Sequence, residues 1–204
     1  MVEKDIVCEY KSLKIVDAAQ KRFAHYGLEK TTMHEIADDL GISKAALYYY
    51  FKDKEALFKA VVLKEQSAFC SQMDKIIASD KGIHIVLKNY IEKRIEYLKT
   101  LLNLGKLRYE AFKASKPLFS ELGIIFHEHE KKLITAILSS ALKRKEIIKL
   151  NIEEYSDFFI SVLTAIRLYG LDKKELWEQG RIENEIRRQH IFFTDMFLKS
   201  IELR

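Results

Sequence analysis

Basic and phenolic side chains lie close together between positions 44 and 54 of the 204-residue chain, where the sequence reads KAALYYYFKDK. Lysine ammonium groups and tyrosine hydroxyls bind phosphate, and such contacts fix the register of a protein on a nucleic acid. Two small residues, Ala45 and Ala46, leave room for close approach, and an alanine methyl suits the methyl group of thymine in the major groove. These residue types therefore indicate contact with duplex DNA.

Two short helices with a tight turn are predicted to position these side chains. Thr32 and Glu35 have the spacing of a capping box at the start of the first helix. Gly41 follows the last apolar residue of that helix, where a residue that accepts positive φ is needed. Ser43 then caps a second helix that we expect to run to Phe51. The pattern predicts a helix-turn-helix.

The second helix divides into two sides at about 100° per residue. We expect Leu47, Tyr48 and Phe51 to face inward. Lys54 follows Asp53, the expected cap of the next helix, and a helix N-terminus is a good place to hold a phosphate. The predicted DNA contacts are Thr32, Ser43, Lys44, Ala45, Ala46, Tyr48, Tyr49, Tyr50 and Lys54.

This pattern resembles the DNA-binding domain of the TetR (tetracycline-repressor-like) family of bacterial transcription regulators. The resemblance covers residues 12–58, about a quarter of the chain, and the cap, turn, aromatic run and lysine all fall in register. One position departs from the family pattern, because Tyr50 stands where the family often has histidine. The matching residues are Ala24, Gly27, Thr31, Thr32, Ile36, Ala37, 41–44, 47–51 and 54–57.

Seven glycines, one proline and the lack of strand-type alternation favour an all-α protein. With the resemblance, this predicts an N-terminal three-helix helix-turn-helix domain at 1–54 and a C-terminal helical ligand-binding and dimerisation domain at 55–204. No apolar run is long enough to cross a bilayer, and the N-terminus is not of the secretory type. Cys8 and Cys70 are expected to be reduced thiols in a cytoplasm.

The net charge of +5 does not identify the DNA-binding part. Residues 1–54 contain nine basic and nine acidic residues, so the whole excess lies in the remainder of the chain. The local placement of Lys44, Lys52 and Lys54 near the second short helix is the more informative observation.

Helical periodicity continues along the rest of the chain. After a loose arm at 1–10, we expect helices at 12–26, 53–79, 83–104, 117–145, 152–169 and 184–203, with a short helix near Trp177. The helix at 152–169 contains FFISVLTAI and is apolar on nearly every side, which predicts contact with its own core and with another subunit. The helices 152–169 and 184–203 are therefore the candidate homodimer interface. The resemblance implies a four-helix bundle there.

The resemblance also implies a pocket for a small-molecule effector in the second domain. A guanidinium keeps its charge, so Arg94 and Arg167, which lie in largely apolar helices, need anionic partners. Each arginine either anchors an acidic ligand, such as an acyl carboxylate or a coenzyme A thioester, or forms an internal or intersubunit ion pair. The predicted ligand-binding residues are Arg94, Tyr97, Tyr109, Phe112, Phe126, Phe158 and Arg167.

No catalytic or metal-binding pattern is found, so neither enzymatic activity nor a cofactor is expected. His127 and His129 are two residues apart, whereas a helical metal pair is normally four apart. We predict a homodimeric repressor that a small molecule releases from a palindromic operator. The alternatives are an enzyme that uses the aromatic pocket, and a helical DNA-binding or adaptor protein without a small-molecule ligand.

Overall fold

The computed structural model describes residues 2–79, 81–105, 113 and 116–203, and it leaves out the side chains of 2–8 and 101–105. The described residues form helices and one isolated antiparallel bridge between Ile147 and Glu202, so the all-α prediction is confirmed. The helices are α1 (Val2–Tyr26), α2 (Met33–Asp39), α3 (Lys44–Tyr50), α4 (Lys54–Ile77), α5 (Ile83–Gly105), α6 (Lys116–Lys143), α7 (Ile152–Leu171), α8 (Lys174–Glu178) and α9 (Ile182–Ile201).

These helices belong to two compact units. The first contains residues 2–65 and the described part of 100–118, and the second contains 66–99 and 119–203. Helix α4 contributes residues to both units. The predicted division between residues 54 and 55 stays a prediction.

Helix α1 is longer than expected. It begins at Val2, so the expectation of a loose arm at 1–10 is wrong. Residues 2–11 contain neither glycine nor proline, and nothing in them interrupts a helix. The buried face of α1 includes Ile15, Val16 and Phe23. The ring of Phe23 packs edge-on against Phe58, with 5.3 Å between centroids.

The second unit is built around the packing of α7 on α9. Asn151 caps α7, because its side chain accepts a hydrogen bond from the Glu154 backbone N–H. The two helices approach closely at Gly170, where an added Cβ would lie 2.8 Å from Cγ1 of Ile186. Farther along, the rings of Phe159 and Phe197 pack with centroids 4.7 Å apart. Within the described part of the chain, none of the helices is both long and apolar enough to span a bilayer.

Candidate functional site

The capping box at the start of α2 is present as predicted. The hydroxyl oxygen of Thr32 accepts a hydrogen bond from the Glu35 backbone N–H at 3.3 Å. In return, the Glu35 carboxylate accepts from the Thr32 backbone N–H and hydroxyl, both at 2.8 Å. The hydrogen bond from the Thr32 hydroxyl is the main reason that the pKa of Glu35 is lowered. This reciprocal bonding fixes the start of the helix that supports α3.

The turn between α2 and α3 also follows the predicted pattern. Gly41 has a φ of +63°, which a glycine adopts without strain. The backbone N–H of Ile42 then bonds to the Ala37 carbonyl at 3.0 Å. Ser43 caps α3, because its side-chain oxygen accepts from the Ala46 backbone N–H at 3.1 Å. The predicted helix-turn-helix is therefore formed by the caps and the glycine on which the prediction rested.

Arg22 joins α1 to α2, an interaction that sequence reasoning missed. Its guanidinium donates to both carboxylate oxygens of Asp39, at 2.6 and 3.0 Å, and lies 3.2 Å from the Glu35 carboxylate. The hydrogen bond from Arg22 lowers the pKa of Asp39. The available signal was the spacing of Glu35 and Asp39, since residues four apart share one face of a helix.

Helix α3 exposes most of its side chains. Leu47 is fully buried, whereas Tyr49 is 78% exposed and Lys44 and Ala45 are exposed. Tyr48 is 42% exposed, so the expectation that it packs inward is wrong. On a helix of seven residues one fully buried side chain, Leu47, anchors the inner face.

The remaining predicted contacts also lie at or near this exposed surface. Ala46 and Tyr50 are half-buried, and the rings of Tyr49 and Tyr50 meet edge-to-face with centroids 5.2 Å apart. The ammonium of Lys44 lies 5.7 Å from the centroid of the Tyr48 ring. The α3 surface, which we define as residues 44–46 and 48–50, thus presents an ammonium, alanine methyls and phenol groups together.

Lys54 has a different environment from the one expected. Its ammonium donates to the backbone carbonyls of Leu28 at 2.7 Å and Thr31 at 2.9 Å, with a longer contact of 3.4 Å to Glu29. The ammonium was expected beside the N-terminus of the next helix, where it could hold a phosphate, and the structure bonds it instead to these carbonyls. Asp53 does cap α4, since its side chain accepts from the Ala56 backbone N–H at 2.7 Å. Lys54 holds the loop between α1 and α2.

In the second unit, Arg94 forms an internal ion pair. Its Nε and Nη2 atoms donate to the two carboxylate oxygens of Glu130 at 2.7 and 3.1 Å, and both residues are 4% exposed. The hydroxyl of Tyr90 donates to the same carboxylate at 3.1 Å. Burial acts to lower the pKa of Arg94, but the nearby Glu130 carboxylate outweighs it and the pKa is raised. For Arg94 the structure thus favours the ion-pair alternative.

A small cavity next to this ion pair brings several predicted ligand-binding residues together. Its volume is about 10 Å³. Phe158 does not belong to this group, because its side chain is 57% exposed on α7, and that part of the prediction is corrected. Tyr109 and Phe112 lie outside the described residues. The cavity is lined by Gln66, Phe69, Arg94, Tyr97, Leu98, Phe126, Glu130 and Arg167.

Sequence reasoning missed Glu130, Gln66 and Phe69 at this cavity. Glu130 is 36 residues from Arg94 along the chain, and no local spacing relates the two. Phe69 stacks on Tyr97, with 5.5 Å between ring centroids and 19° between ring planes. Phe126 meets the same Tyr97 ring edge-on at 5.7 Å. The apolar wall of the cavity is therefore aromatic.

The two histidines of α6 make ordinary polar contacts. Nε2 of His127 lies 3.0 Å from the Asp157 carboxylate, which Lys131 also approaches at 3.5 Å. Nδ1 of His129 lies 3.1 Å from the side-chain oxygen of Gln66. Among the residues whose placement is described, no three histidine, cysteine, aspartate or glutamate side chains are grouped as metal ligands.

Helices α7 and α9 carry large apolar side chains on their solvent-facing sides. Phe158 is 57% exposed on α7, while Phe192 and Met196 are 65% and 55% exposed on α9. Contiguous exposed apolar residues of this size mark interaction surfaces. We call the set of Phe158, Leu168, Tyr169, Phe192 and Met196 the apolar face.

Comparison with known proteins gives consistent matches. A family model described as bacterial regulatory proteins, tetR family, matches residues 15–61. The crystal structure of a transcriptional regulator from Cytophaga hutchinsonii is 40% identical, covers 95% of this chain and 99% of its own, and has a TM-score of 0.82.

Two curated relatives are more distant. An HTH-type transcriptional regulator of Staphylococcus aureus is 26% identical over 73% of this chain and 90% of its own length. An HTH-type transcriptional repressor of Mycobacterium tuberculosis is 27% identical over 46% of this chain. The chain spans about half of that repressor, 48% of its length.

Proposed function

Because the chain belongs to the TetR family of bacterial transcription regulators, we propose that it is a homodimeric repressor that a small molecule releases from a palindromic operator. The relatives are transcriptional regulators, which confirms the expectation that the chain is not an enzyme. Repression, the effector, the dimer and the symmetry of the operator are parts of this proposal.

The exposed α3 surface is the observation that carries the proposal. A major groove admits a helix, and the small side chains of Ala45 and Ala46 allow a close approach to base edges. The hydroxyls of Tyr48, Tyr49 and Tyr50, with the ammonium of Lys44, would bind phosphates on either side. Thr32 caps α2 and Ser43 caps α3, and both side chains are exposed. They would add their contacts at the edge of the groove.

Little of the specificity would come from direct hydrogen bonds to bases. Alanine side chains neither donate nor accept, so Ala45 and Ala46 read a site only through methyl contacts and shape. DNA deformability and the spacing of two half-sites would then decide much of the specificity. Lys54 would contribute through the loop that it holds, in addition to any contact that its ammonium shares with a phosphate.

The apolar face supports a homodimer through the helices predicted at 152–169 and 184–203. Burying large side chains such as Phe158 and Phe192 against a second copy would remove apolar area from water. A two-fold axis would then place the two copies of α3 about 34 Å apart, or a multiple of that distance, along the DNA. The operator would accordingly be an inverted repeat.

Release by a small molecule needs a ligand that binds one arrangement of the second unit more tightly than another. Helix α4 is one continuous helix with residues in both units, and so is the element that would transmit such a change. Its movement would alter the separation of the two copies of α3 in the dimer.

One observation favours the alternative of a DNA-binding protein without a small-molecule ligand. The cavity beside Arg94 has a volume of about 10 Å³, enough for a single water molecule. A ligand larger than this would have to displace side chains on binding. The two candidates differ in one measurable respect, since only the first responds to a small molecule.

Selection of binding sites from a random DNA library, followed by footprinting, tests the proposal. We expect an enriched inverted repeat, and Tyr49→Phe should weaken binding to every selected sequence alike because it removes a phosphate contact. Tyr10→Phe is the matched control, because Tyr10 is an exposed tyrosine on α1 outside the α3 surface. Enrichment of unrepeated sites, or no enrichment, would contradict the proposal. A compound screen for release of the selected operator then separates the two candidates.

A further inference from the structure

The described residues around the small cavity of the second unit carry more positive than negative charge. Glu130 is the one carboxylate among the described residues that line this cavity, whereas two arginines line it. Both oxygens of Glu130 are already bonded to Arg94, and one also accepts from Tyr90. The Arg94–Glu130 pair therefore neutralises itself, and Arg167 remains.

Arg167 is the second arginine of the cavity, and its side chain is half-buried. Its Nε atom is buried and has no hydrogen-bond partner among the residues that the structure describes. Burial and the charge of Arg94 lower its pKa to about 10, which the Glu130 carboxylate offsets only in part. Arg167 is still protonated at neutral pH, and a half-buried charge whose Nε atom has no acceptor among the described residues is unfavourable.

His190 adds no charge to this region, and its Nε2 atom does not act as an acceptor there. Its Nε2 atom lies 3.0 Å from the Leu163 carbonyl, so it carries the hydrogen that bonds there. The same Nε2 lies 3.4 Å from Nη1 of Arg94 and cannot accept a hydrogen bond from it. Burial and the charge of Arg94 lower the pKa of His190 to about 2, so the imidazole is neutral. Among the described side chains, Arg94 Nη1 and Arg167 Nε thus both lack an acceptor.

The other wall of the cavity suits an apolar group. Phe69, Tyr97 and Phe126 form the aromatic contacts described above, and Leu98 adds an aliphatic side chain. A ligand that satisfied both walls would carry one negative charge and an apolar body. Ligand sites commonly combine an apolar lining with a few polar groups that fix orientation.

We propose that the effector is an organic monocarboxylate whose carboxylate pairs with Arg167 while its aliphatic or aromatic body contacts Phe69, Tyr97 and Phe126. This inference rests on the proposed function, because it names the class of molecule to which the regulator responds. A single surplus positive charge matches a monoanion better than a phosphate ester, which carries a charge of about −1.5 to −2 at neutral pH.

The small size of the cavity is part of the same mechanism. A volume of about 10 Å³ admits an atom or two of the ligand but not its apolar body. The aromatic rings must therefore move aside. The ligand then binds the second unit more tightly in this rearranged form than in the form with the small cavity. A ligand can shift an equilibrium only through such a difference in affinity.

Calorimetric and thermal-shift titration of the full chain with matched ligand pairs tests the inference. The probes are straight-chain carboxylates from acetate to decanoate and phenyl-substituted carboxylates, each paired with its own primary amide at constant ionic strength. We expect carboxylates with apolar bodies to raise the melting temperature and their amides to have no effect. Arg167→Gln should weaken carboxylate binding by about tenfold to a hundredfold, as expected for loss of a hydrogen bond to a charged group.

Arg181→Gln is the matched control and should bind like the wild type, because Arg181 is exposed before α9. A second variant, Arg167→Met, should fold and keep or raise the ligand-free melting temperature, since it removes a half-buried charge whose Nε atom has no acceptor among the described residues. The inference is overturned if amides bind as well as carboxylates, if no carboxylate in the panel binds, or if Arg167→Gln binds them unchanged. A lower melting temperature for Arg167→Met would count against it by indicating an ion pair with a second subunit.

These measurements use no DNA, so they separate the inference from the proposed function. If a carboxylate binds through Arg167 and leaves operator affinity unchanged, the ligand class is correct and release by the ligand is wrong. If neutral compounds release the operator and no carboxylate binds, release is correct and the ligand class is wrong.

Discussion

Replacing Lys54 by methionine keeps most of the aliphatic stem and removes the ammonium that holds the loop between α1 and α2. The wild-type ammonium makes two short hydrogen bonds, to the carbonyls of Leu28 at 2.7 Å and Thr31 at 2.9 Å. Hydrogen bonds to charged groups contribute about 1.5–3 kcal/mol each when buried, and partial exposure here reduces that value. We therefore expect the two bonds together to contribute about 2 kcal/mol to the free energy of unfolding, which the substitution would remove.

The loss should appear as a melting temperature lower by about 4–8 °C, using the usual 2–4 °C per kcal/mol for a chain of this size. Hydrogen exchange provides the local readout, because amides at 28–32 should lose protection first. Lys52→Met is the control, since the Lys52 side chain is 85% exposed. It should leave the melting temperature unchanged.

Operator binding measured from about 50 to 200 mM salt gives the decisive comparison. If Lys54 acts through the loop, Lys54→Met lowers affinity while the slope of affinity against salt stays the same. Lys54 is instead a phosphate contact if Lys54→Met leaves the melting temperature and hydrogen exchange unchanged and lowers the slope of log affinity against log salt concentration by about one. That result would refute the loop-holding role.

Three further predictions concern the capping box, the buried ion pair and the apolar face. Thr32→Ala should cost about 1 kcal/mol at neutral pH by calorimetry. Because Thr32 lowers the pKa of the Glu35 carboxylate, one part of this difference should be complete above the ordinary carboxylate pKa and be lost as the pH falls through the lowered pKa. The part that comes from the bond between the Thr32 hydroxyl and the Glu35 backbone N–H should remain. Glu130→Gln should cost about 3 kcal/mol or more, because it leaves the buried Arg94 without a carboxylate, whereas the exposed Glu128→Gln should not. Equal urea midpoints for the two variants would contradict this. Phe192→Glu should be monomeric in analytical ultracentrifugation, whereas the control Ile124→Glu on α6 should remain dimeric. A dimeric Phe192→Glu would exclude the apolar face as the dimer interface.

Features that depend on a few adjacent residues were predictable from the sequence. Thr32, Ser43 and Asn151 each cap the helix predicted after them, because a cap is a hydrogen bond to an N–H only a few residues away. Gly41 and Gly27 end their helices through positive φ. Such interactions need no knowledge of the rest of the fold.

Features that depend on contacts between distant segments were not predictable in the same way. Arg94 was recognised as needing a partner, but Glu130 lies on another helix and nothing in the spacing pointed to it. Phe158 is a large apolar residue of the kind usually found in a core, but its side chain is exposed on the surface of α7. The expected burial of Tyr48 was wrong for a similar reason. The angular position of a residue on a helix gives the direction of its side chain, but it does not tell whether neighbouring residues cover that side chain.

The close approach at Gly170 gives the two helices of the apolar face a fixed separation at one end. Adding a single methyl there, as in Gly170→Ala, would meet the Ile186 side chain, which must then shift or push α7 and α9 apart, and no exposed side chain is altered. In the proposed dimer this would tilt one half of the interface and change the distance between the DNA-reading helices. Substitutions at this buried position thus offer a way to retune the preferred gap between half-sites while every residue that touches the operator stays the same.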